Sequence, residues 1–170
     1  LESIASIVVL SLSMSLPPFI SQNFGANNID RVKQAYSLCV RFVIVWQLII
    51  FGILVLLSGV IANIFSNEPE VISIIVLFLV VVPLGYGTQG VTILTNSSFN
   101  AMHMPMSALS LNAMRLFVFF VPFSLLGSHW FELPGLFWAG VVANLAVGCI
   151  AFTWCKTILA SRFKQNVLSK

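Results

Sequence analysis

Uncharged, mostly apolar stretches alternate with short polar segments along the whole chain. Five of the stretches exceed the roughly 20 residues that a helix needs to cross a bilayer. They cover residues 3–24, 42–65, 71–97, 106–127 and 134–155. An open sheet would leave backbone groups unpaired in lipid, and the strands of a membrane barrel are only about ten residues long. The pattern therefore predicts an all-α integral membrane protein with five transmembrane helices.

The composition agrees with a membrane protein. Of the 170 residues, 59% are apolar and only 8% are charged, and the mean hydropathy is +1.03. Soluble proteins carry about 25% charged residues. So few charges cannot cover a soluble surface, which excludes a soluble enzyme, a disordered chain, a coiled coil and a nucleic-acid-binding module. The three cysteines and two histidines are not clustered, so we expect no metal site, disulfide framework or bound cofactor.

The charged residues are sorted between alternate loops. All eight Lys and Arg residues lie in or beside the first loop, the third loop and the C-terminal segment. Four of the five acidic residues lie at the N-terminus and in the second and fourth loops. Because consecutive loops lie on opposite sides of the membrane, the positive-inside rule places the basic side in the cytoplasm. We therefore predict a multi-pass protein of the inner (plasma) membrane with a cytoplasmic C-terminus.

The same pattern divides the chain into a transmembrane bundle, residues 1–160, and a basic cytoplasmic tail, residues 161–170. A charge at the bilayer centre is costly, so Arg41 and Arg115 are predicted to extend toward the cytoplasmic headgroups. The chain begins with Leu1 and enters a helix at once. We expect it to be the C-terminal part of a longer protein, with an intact five-span protein as the alternative.

The end of the first span carries a recognisable motif. Residues 17–26 read PPFISQNFGA and are followed by NNIDRVKQA. This segment resembles the multidrug and toxic compound extrusion (MATE) family, in which a helix runs into G-Q-N-x-G-A before a short basic loop. Ser21 replaces the first glycine of that motif. Residues 136–140, LFWAG, are similar to the family's G-x-W-x-G start of the last helix, whereas residues 99–105 lack the Arg and the glycines of its third loop.

The resemblance covers nearly the whole chain and implies helices eight to twelve of a twelve-helix, two-lobed fold. It implies part of a cation- or proton-coupled multidrug efflux antiporter that exports amphipathic, often cationic compounds by alternating access. The implied partners are membrane lipid, the N-terminal lobe of the same protein and small-molecule drugs or toxins, with no nucleic acid. The alternatives are a lipid-linked oligosaccharide flippase of the same superfamily and a non-transporting membrane assembly subunit. No catalytic motif supports an enzyme.

The coupling ion, H⁺ or Na⁺, is expected to bind mainly outside this segment. No Asp or Glu lies inside any predicted span. In one branch of the family a carboxylate lies on the helix that corresponds to the third span, about where this chain has Gln89. Glutamine cannot titrate, so the coupling acid is expected in the N-terminal lobe.

The first helix has candidate hinge and helix-stop residues. Pro17 and Pro18 are predicted to bend it, as a hinge or as a static kink. Gly25 is predicted to end it with a positive φ, and the side chains of Gln22 and Asn23 to cap the freed carbonyls. A gating role and a generic helix end both remain open for this motif.

Polar side chains recur on one face of the third predicted helix. At 100° per residue they fall within an arc of about 120°. They are Tyr86, Gln89, Thr92, Asn96 and Asn100. We predict that the first four, with Asn112 of the fourth span, line a substrate cavity, the alternative being hydrogen bonds between helices.

Other polar and flexible positions lie close to that stripe in the sequence. Arg115 and Asn144 are weaker candidates for the cavity, and a structural role is favoured for both. A structural role is also favoured for Asn112, although it is included in the predicted cavity. The third span also contains a proline and three glycines that are expected to loosen its helix: Pro83, Gly85, Gly87 and Gly90.

Overall fold

The computed structural model describes residues 2–168, with only the backbone described for 2–5, 130–132 and 164–168. All secondary structure in this range is helical. The α-helices are α1 (Glu2–Gly25), α2 (Ile29–Phe65), α3 (Pro69–Val81), α4 (Tyr86–Ala101), α5 (Pro105–Ala113) and α6 (Val121–Leu168). A 3₁₀ turn, Val82–Gly85, joins α3 to α4, and a π-helical segment, Met114–Phe120, joins α5 to α6.

Five helical stretches of the described chain are long and apolar enough to cross a bilayer. They are Ser6–Gly25, Ile29–Phe65, Pro69–Ala101, Pro105–His129 and Leu133–Phe163, numbered here as the first to fifth spans. The predicted five-helix, all-α fold is confirmed. The helices extend beyond the predicted apolar stretches, because charged residues such as Arg31 and Lys33 lie on α2 instead of in the predicted first loop. The predicted tail, 161–170, is likewise helical as far as Leu168.

The chain reverses direction within α6. In a straight helix, residues 127 and 135 would lie about 12 Å apart along the axis. The backbones of Gly127 and Gly135 instead meet, so that a Cβ on Gly127 would lie 2.5 Å from the Gly135 carbonyl oxygen. Only glycine fits at this close approach. The fourth and fifth spans therefore form a helical hairpin, with the turn where the sequence predicts a loop.

Helix α4 lies at the centre of the bundle and packs against α1, α2 and α6. Leu94 and Phe99 on this helix are fully buried. Small residues bring the helices close together, as is common between membrane helices. A Cβ on Gly90 would lie 2.5 Å from Val43 Cγ1, and a Cβ on Gly148 would lie 2.6 Å from Thr88 Cβ. Glycine at these crossings therefore allows close packing. The sequence predicts that Gly90 loosens its helix, whereas the structure shows Gly90 packed against Val43.

A buried hydrogen bond joins the second and third spans. The Tyr36 hydroxyl lies 2.7 Å from Thr95 Oγ1, and both residues are at most 1% exposed. Thr95 Oγ1 itself donates to the Val91 carbonyl oxygen at 2.8 Å. Because the single Thr95 proton is used there, Tyr36 is the donor to Thr95.

Helix α1 ends in a Schellman motif. The Asn28 N–H donates to the Asn23 carbonyl oxygen at 2.8 Å, and the Asn27 N–H donates to the Phe24 carbonyl oxygen at 3.1 Å. Asn27 has a φ of 61°, the left-handed conformation that this motif requires. The last carbonyls of the helix are thus satisfied by the backbone.

This ending corrects the predicted helix-stop residues. Gly25 is helical, and no glycine of the described backbone has a positive φ, so the prediction for Gly25 is wrong. The Asn23 side chain donates to the Phe19 carbonyl oxygen within the helix, at 2.9 Å. The freed carbonyl of Gln22 accepts the Ala26 N–H at 3.0 Å. Asparagine at position 27 ends the helix because it tolerates the left-handed region better than most residues.

Helix α4 also ends in a Schellman motif, with a histidine at the left-handed position. The Met104 N–H donates to the Phe99 carbonyl oxygen at 2.8 Å, and the His103 N–H donates to the Asn100 carbonyl oxygen at 3.2 Å. His103 has a φ of 59°. A histidine in this conformation is less favourable than glycine, so the turn retains some backbone strain.

Candidate substrate cavity

A cavity of about 470 Å³ lies between the third, fourth and fifth spans. Ligand sites in proteins usually measure about 300–1,000 Å³. Aromatic and aliphatic side chains make up most of the lining, together with a few polar groups. The lining residues are Phe78, Val82, Tyr86, Gln89, Arg115, Leu116, Phe120, Leu136, Phe137, Gly140, Val141, Ala143 and Asn144.

The third span contributes Tyr86 and Gln89, directly after the 3₁₀ turn. Pro83 lacks the N–H that a regular helix needs, so the helix changes its hydrogen bonding in this turn. Tyr86 and Gln89 lie three residues apart at the start of α4 and therefore share one face. That face points into the cavity, as the polar stripe predicts for these two residues.

The fourth span contributes Arg115, Leu116 and Phe120 from its π-helical segment. Arg115 and Phe120 both line the cavity from this segment, in which the hydrogen bonds run from i to i+5. Arg115 lies ten residues beyond Pro105, the first residue of the fourth span, and is half-buried. Its side chain lines the cavity, and its reach toward the headgroups stays a prediction. Arg41 is exposed on α2.

The fifth span contributes Phe137 and Asn144. The Phe137 ring meets Phe78 edge to face, with centroids 5.4 Å apart. Asn144 Nδ2 lies 3.5 Å from Gln89 Oε1, a long hydrogen bond that brings the two amides together. A Cβ on Gly85 would lie 3.2 Å from Asn144 Nδ2, so glycine at position 85 leaves room for this amide.

A single guanidinium supplies the formal charge of the cavity. Among the lining residues that the structure describes, Arg115 is the only Lys, Arg, Asp or Glu. Within 6–129 and 133–163, where side chains are described, no carboxylate pairs with it. The arrangement can therefore hold a flat apolar group between rings, donate hydrogen bonds from amides and attract an anion.

The other predicted cavity residues lie elsewhere. Thr92 is 2% exposed, and its hydroxyl donates to the Thr88 carbonyl oxygen at 3.0 Å. Asn96 Nδ2 donates to Asn112 Oδ1 at 2.8 Å, which joins the third and fourth spans. None of the three lines the cavity. The five predicted cavity residues thus divide into two that line the cavity, one buried threonine and one interhelical pair.

Sequence reasoning gave Arg115 and Asn144 a structural role, whereas both line the cavity. The distance of Arg115 from the start of its helix is the signal that could have identified it. The proline pair of the first span, Pro17 and Pro18, lies inside the continuous helix α1. The hinge role of that pair stays a prediction.

Comparison with known families identifies the chain. The sequence profile of the MatE family matches residues 1–126, which cover the first three spans and most of the fourth. The chain belongs to the MatE family. The predicted resemblance is thereby confirmed, and the chain is a multi-pass membrane protein of a transporter family and not an enzyme.

Individual relatives support the assignment to the MatE family. The chain is 38% identical over 152 residues to a FAD transporter of Shewanella oneidensis, which covers 89% of this chain and 34% of the relative. It is 34% identical to the Vibrio cholerae MATE transporter VcmN in its bent form, with a TM-score of 0.88 over 95% of this chain and 37% of that chain. A crystal structure of MATE in the straight conformation is 16% identical, with a TM-score of 0.87 over 95% of this chain and 37% of that chain, and so shares the fold. The chain therefore spans about a third of the length of these relatives.

Proposed function

We propose that this MatE chain is part of an ion-coupled transporter that exports amphipathic, aromatic solutes by alternating access. The observation that carries the proposal is the cavity between the third, fourth and fifth spans. Four aromatic rings line it, from Phe78, Tyr86, Phe120 and Phe137. Rings of this kind accept a flat apolar group, while a few convergent polar groups orient the polar end of the solute.

The Shewanella oneidensis relative supports an aromatic substrate class. That protein is named a FAD transporter, and the flavin ring of FAD is planar and aromatic. The export of cationic drugs stays a prediction of the family resemblance. The Arg115 guanidinium in the lining has no carboxylate partner among the side chains that the structure describes, and it disfavours a cationic solute because like charges repel strongly where water is scarce.

The rest of the proposal concerns orientation and coupling. The basic loops and the C-terminus are proposed to face the cytoplasm across the plasma membrane, on the positive-inside rule. The coupling ion, H⁺ or Na⁺, is proposed to bind in the N-terminal lobe. The lining described here supplies polar contacts to the solute, and the change in access would come from movement of the two lobes against each other.

Efflux from cells tests this proposal. The protein is expressed from its native gene in cells deprived of their own exporters, and the efflux of ethidium and of FAD is followed with and without an uncoupler. Wild-type protein should give efflux that the uncoupler abolishes. The absence of uncoupler-sensitive efflux for every probe would refute the proposed function.

A Gln89→Leu variant tests the cavity itself. Loss of one hydrogen bond to the solute, about 0.5–1.5 kcal/mol, should slow efflux by about 2- to 10-fold at matched expression. Asn63→Leu is the control, since Asn63 is an exposed amide on α2 whose side chain bonds only to the Gly59 carbonyl of its own helix. Equal efflux from Gln89→Leu and Asn63→Leu would remove Gln89 from the site.

A further inference from the structure

Arg115 places a positive charge inside the fourth span, Pro105–His129. Charged groups within a membrane span are costly and are retained mainly where they pair or line a functional path. In the part of the chain whose side chains are described, Arg115 has no carboxylate partner, yet it lines the cavity. Among these described residues no carboxylate neutralises it, so the cavity carries a positive group that can attract an anion.

The surroundings of Arg115 define the ligand that would fit. A guanidinium is a planar fork of five N–H donors that matches a phosphate or carboxylate. The amides of Gln89 and Asn144 lie on the other two walls and can donate further hydrogen bonds. The Phe78 and Phe137 rings, in contact edge to face, line the same cavity. The cavity thus combines groups that suit an anion with rings that suit a flat aromatic group.

We propose that Arg115 binds the phosphate group of the transported solute, which makes the substrate class a phosphate ester of a planar aromatic compound. This inference rests on the proposed function and narrows it. A phosphate could also come from an anionic lipid headgroup. The aromatic walls favour the aromatic ester, because a lipid headgroup has no flat ring to place between them.

Flavin binding distinguishes these possibilities. The probes are riboflavin, which has the ring but no phosphate, together with FMN and FAD, measured by flavin fluorescence against the whole protein in phosphatidylcholine nanodiscs. Wild-type protein should bind FMN and FAD at least about 10-fold more tightly than riboflavin. Arg115→Gln should weaken FMN and FAD binding by about 10- to 100-fold, as for a lost charge-assisted hydrogen bond, and change riboflavin binding less than about 2-fold.

Two further variants control the experiment. Arg115→Lys keeps the charge but loses the planar fork, so its affinity for FMN should lie between wild type and Arg115→Gln. Arg41→Gln removes an exposed arginine of the second span, outside the cavity, and should leave all three affinities unchanged. Monodisperse elution and an unchanged melting temperature establish that each variant is folded.

Several outcomes would overturn the inference. Equal weakening of all three flavins by Arg115→Gln would assign Arg115 a structural role, such as an ion pair with another part of the protein. Displacement of FMN from wild-type protein by phosphatidylglycerol, without any preference for FMN over riboflavin, would assign the site to lipid. Failure of this inference is distinguishable from failure of the proposed function, because uncoupler-sensitive efflux of at least one probe would persist in the first case and be absent for every probe in the second.

Discussion

Replacing Gly148 with alanine is expected to destabilise the five-helix bundle, because the added methyl group meets backbone and not a flexible side chain. A Cβ at Gly148 would lie 2.6 Å from Thr88 Cβ, 2.8 Å from Thr88 O and 3.0 Å from Thr88 Cα. Favourable contact between carbon atoms begins at about 3.5 Å, so the third and fifth spans must separate locally by roughly 0.9 Å. Overpacking of this kind costs about 1–3 kcal/mol.

The matched control is Gly52→Ala on α2. A Cβ at Gly52 has no neighbouring atom within 4 Å. Both substitutions gain helix propensity, about 0.8–1.0 kcal/mol for alanine over glycine. The difference between the two variants therefore isolates the cost of the contact with Thr88.

Thermal unfolding of the purified protein in detergent, followed by circular dichroism, measures this difference. A change of 1 kcal/mol shifts the melting temperature by about 2–4 °C for 150–250 residues. Gly148→Ala should therefore melt several degrees below Gly52→Ala. If Gly148→Ala melted at or above the temperature of Gly52→Ala, the close packing between the third and fifth spans would be refuted.

Two further predictions concern a buried hydrogen bond and a helix end. Thr95→Val removes the hydrogen bond between the Tyr36 hydroxyl and Thr95 and should lower the free energy of unfolding by about 0.5–1.5 kcal/mol. Thr92→Val, which removes a bond within one helix, should cost less, and equal melting temperatures of the two variants would contradict this. His103→Gly removes a side chain from a left-handed conformation and should raise the free energy of unfolding by about 1 kcal/mol. Asn27→Gly should raise it less, because asparagine tolerates that conformation, and chemical unfolding that found no difference would argue against strain at His103.

Helical periodicity identified two of the four cavity residues that it predicted on the third span. Tyr86 and Gln89 line the cavity because they are close in sequence on one regular helix. Asn96 and Asn112 belong to different spans, and their pairing depends on how the third and fourth helices rotate against each other. Periodicity within one helix contains no information about that rotation.

Arg115 shows the limit of the same reasoning. A rule about the cost of charge in lipid predicts that an arginine reaches for the headgroups. That rule treats the surroundings as lipid, whereas the fourth span packs beside a cavity. Arg115 and Phe120 face the cavity from a π-helical segment. The pattern of apolar positions in residues 114–120 does not predict that segment.

The number of apolar spans and their helical form were determined by the sequence alone, and the side of the membrane that the basic residues face stays a prediction from it. These properties depend on the length of each apolar stretch and on the order of charges, which are both one-dimensional. The cavity, the close glycine contacts and the position of Arg115 were decided only by the tertiary structure. They depend on distances between different helical spans, and those distances are set by how the side chains of the spans pack together.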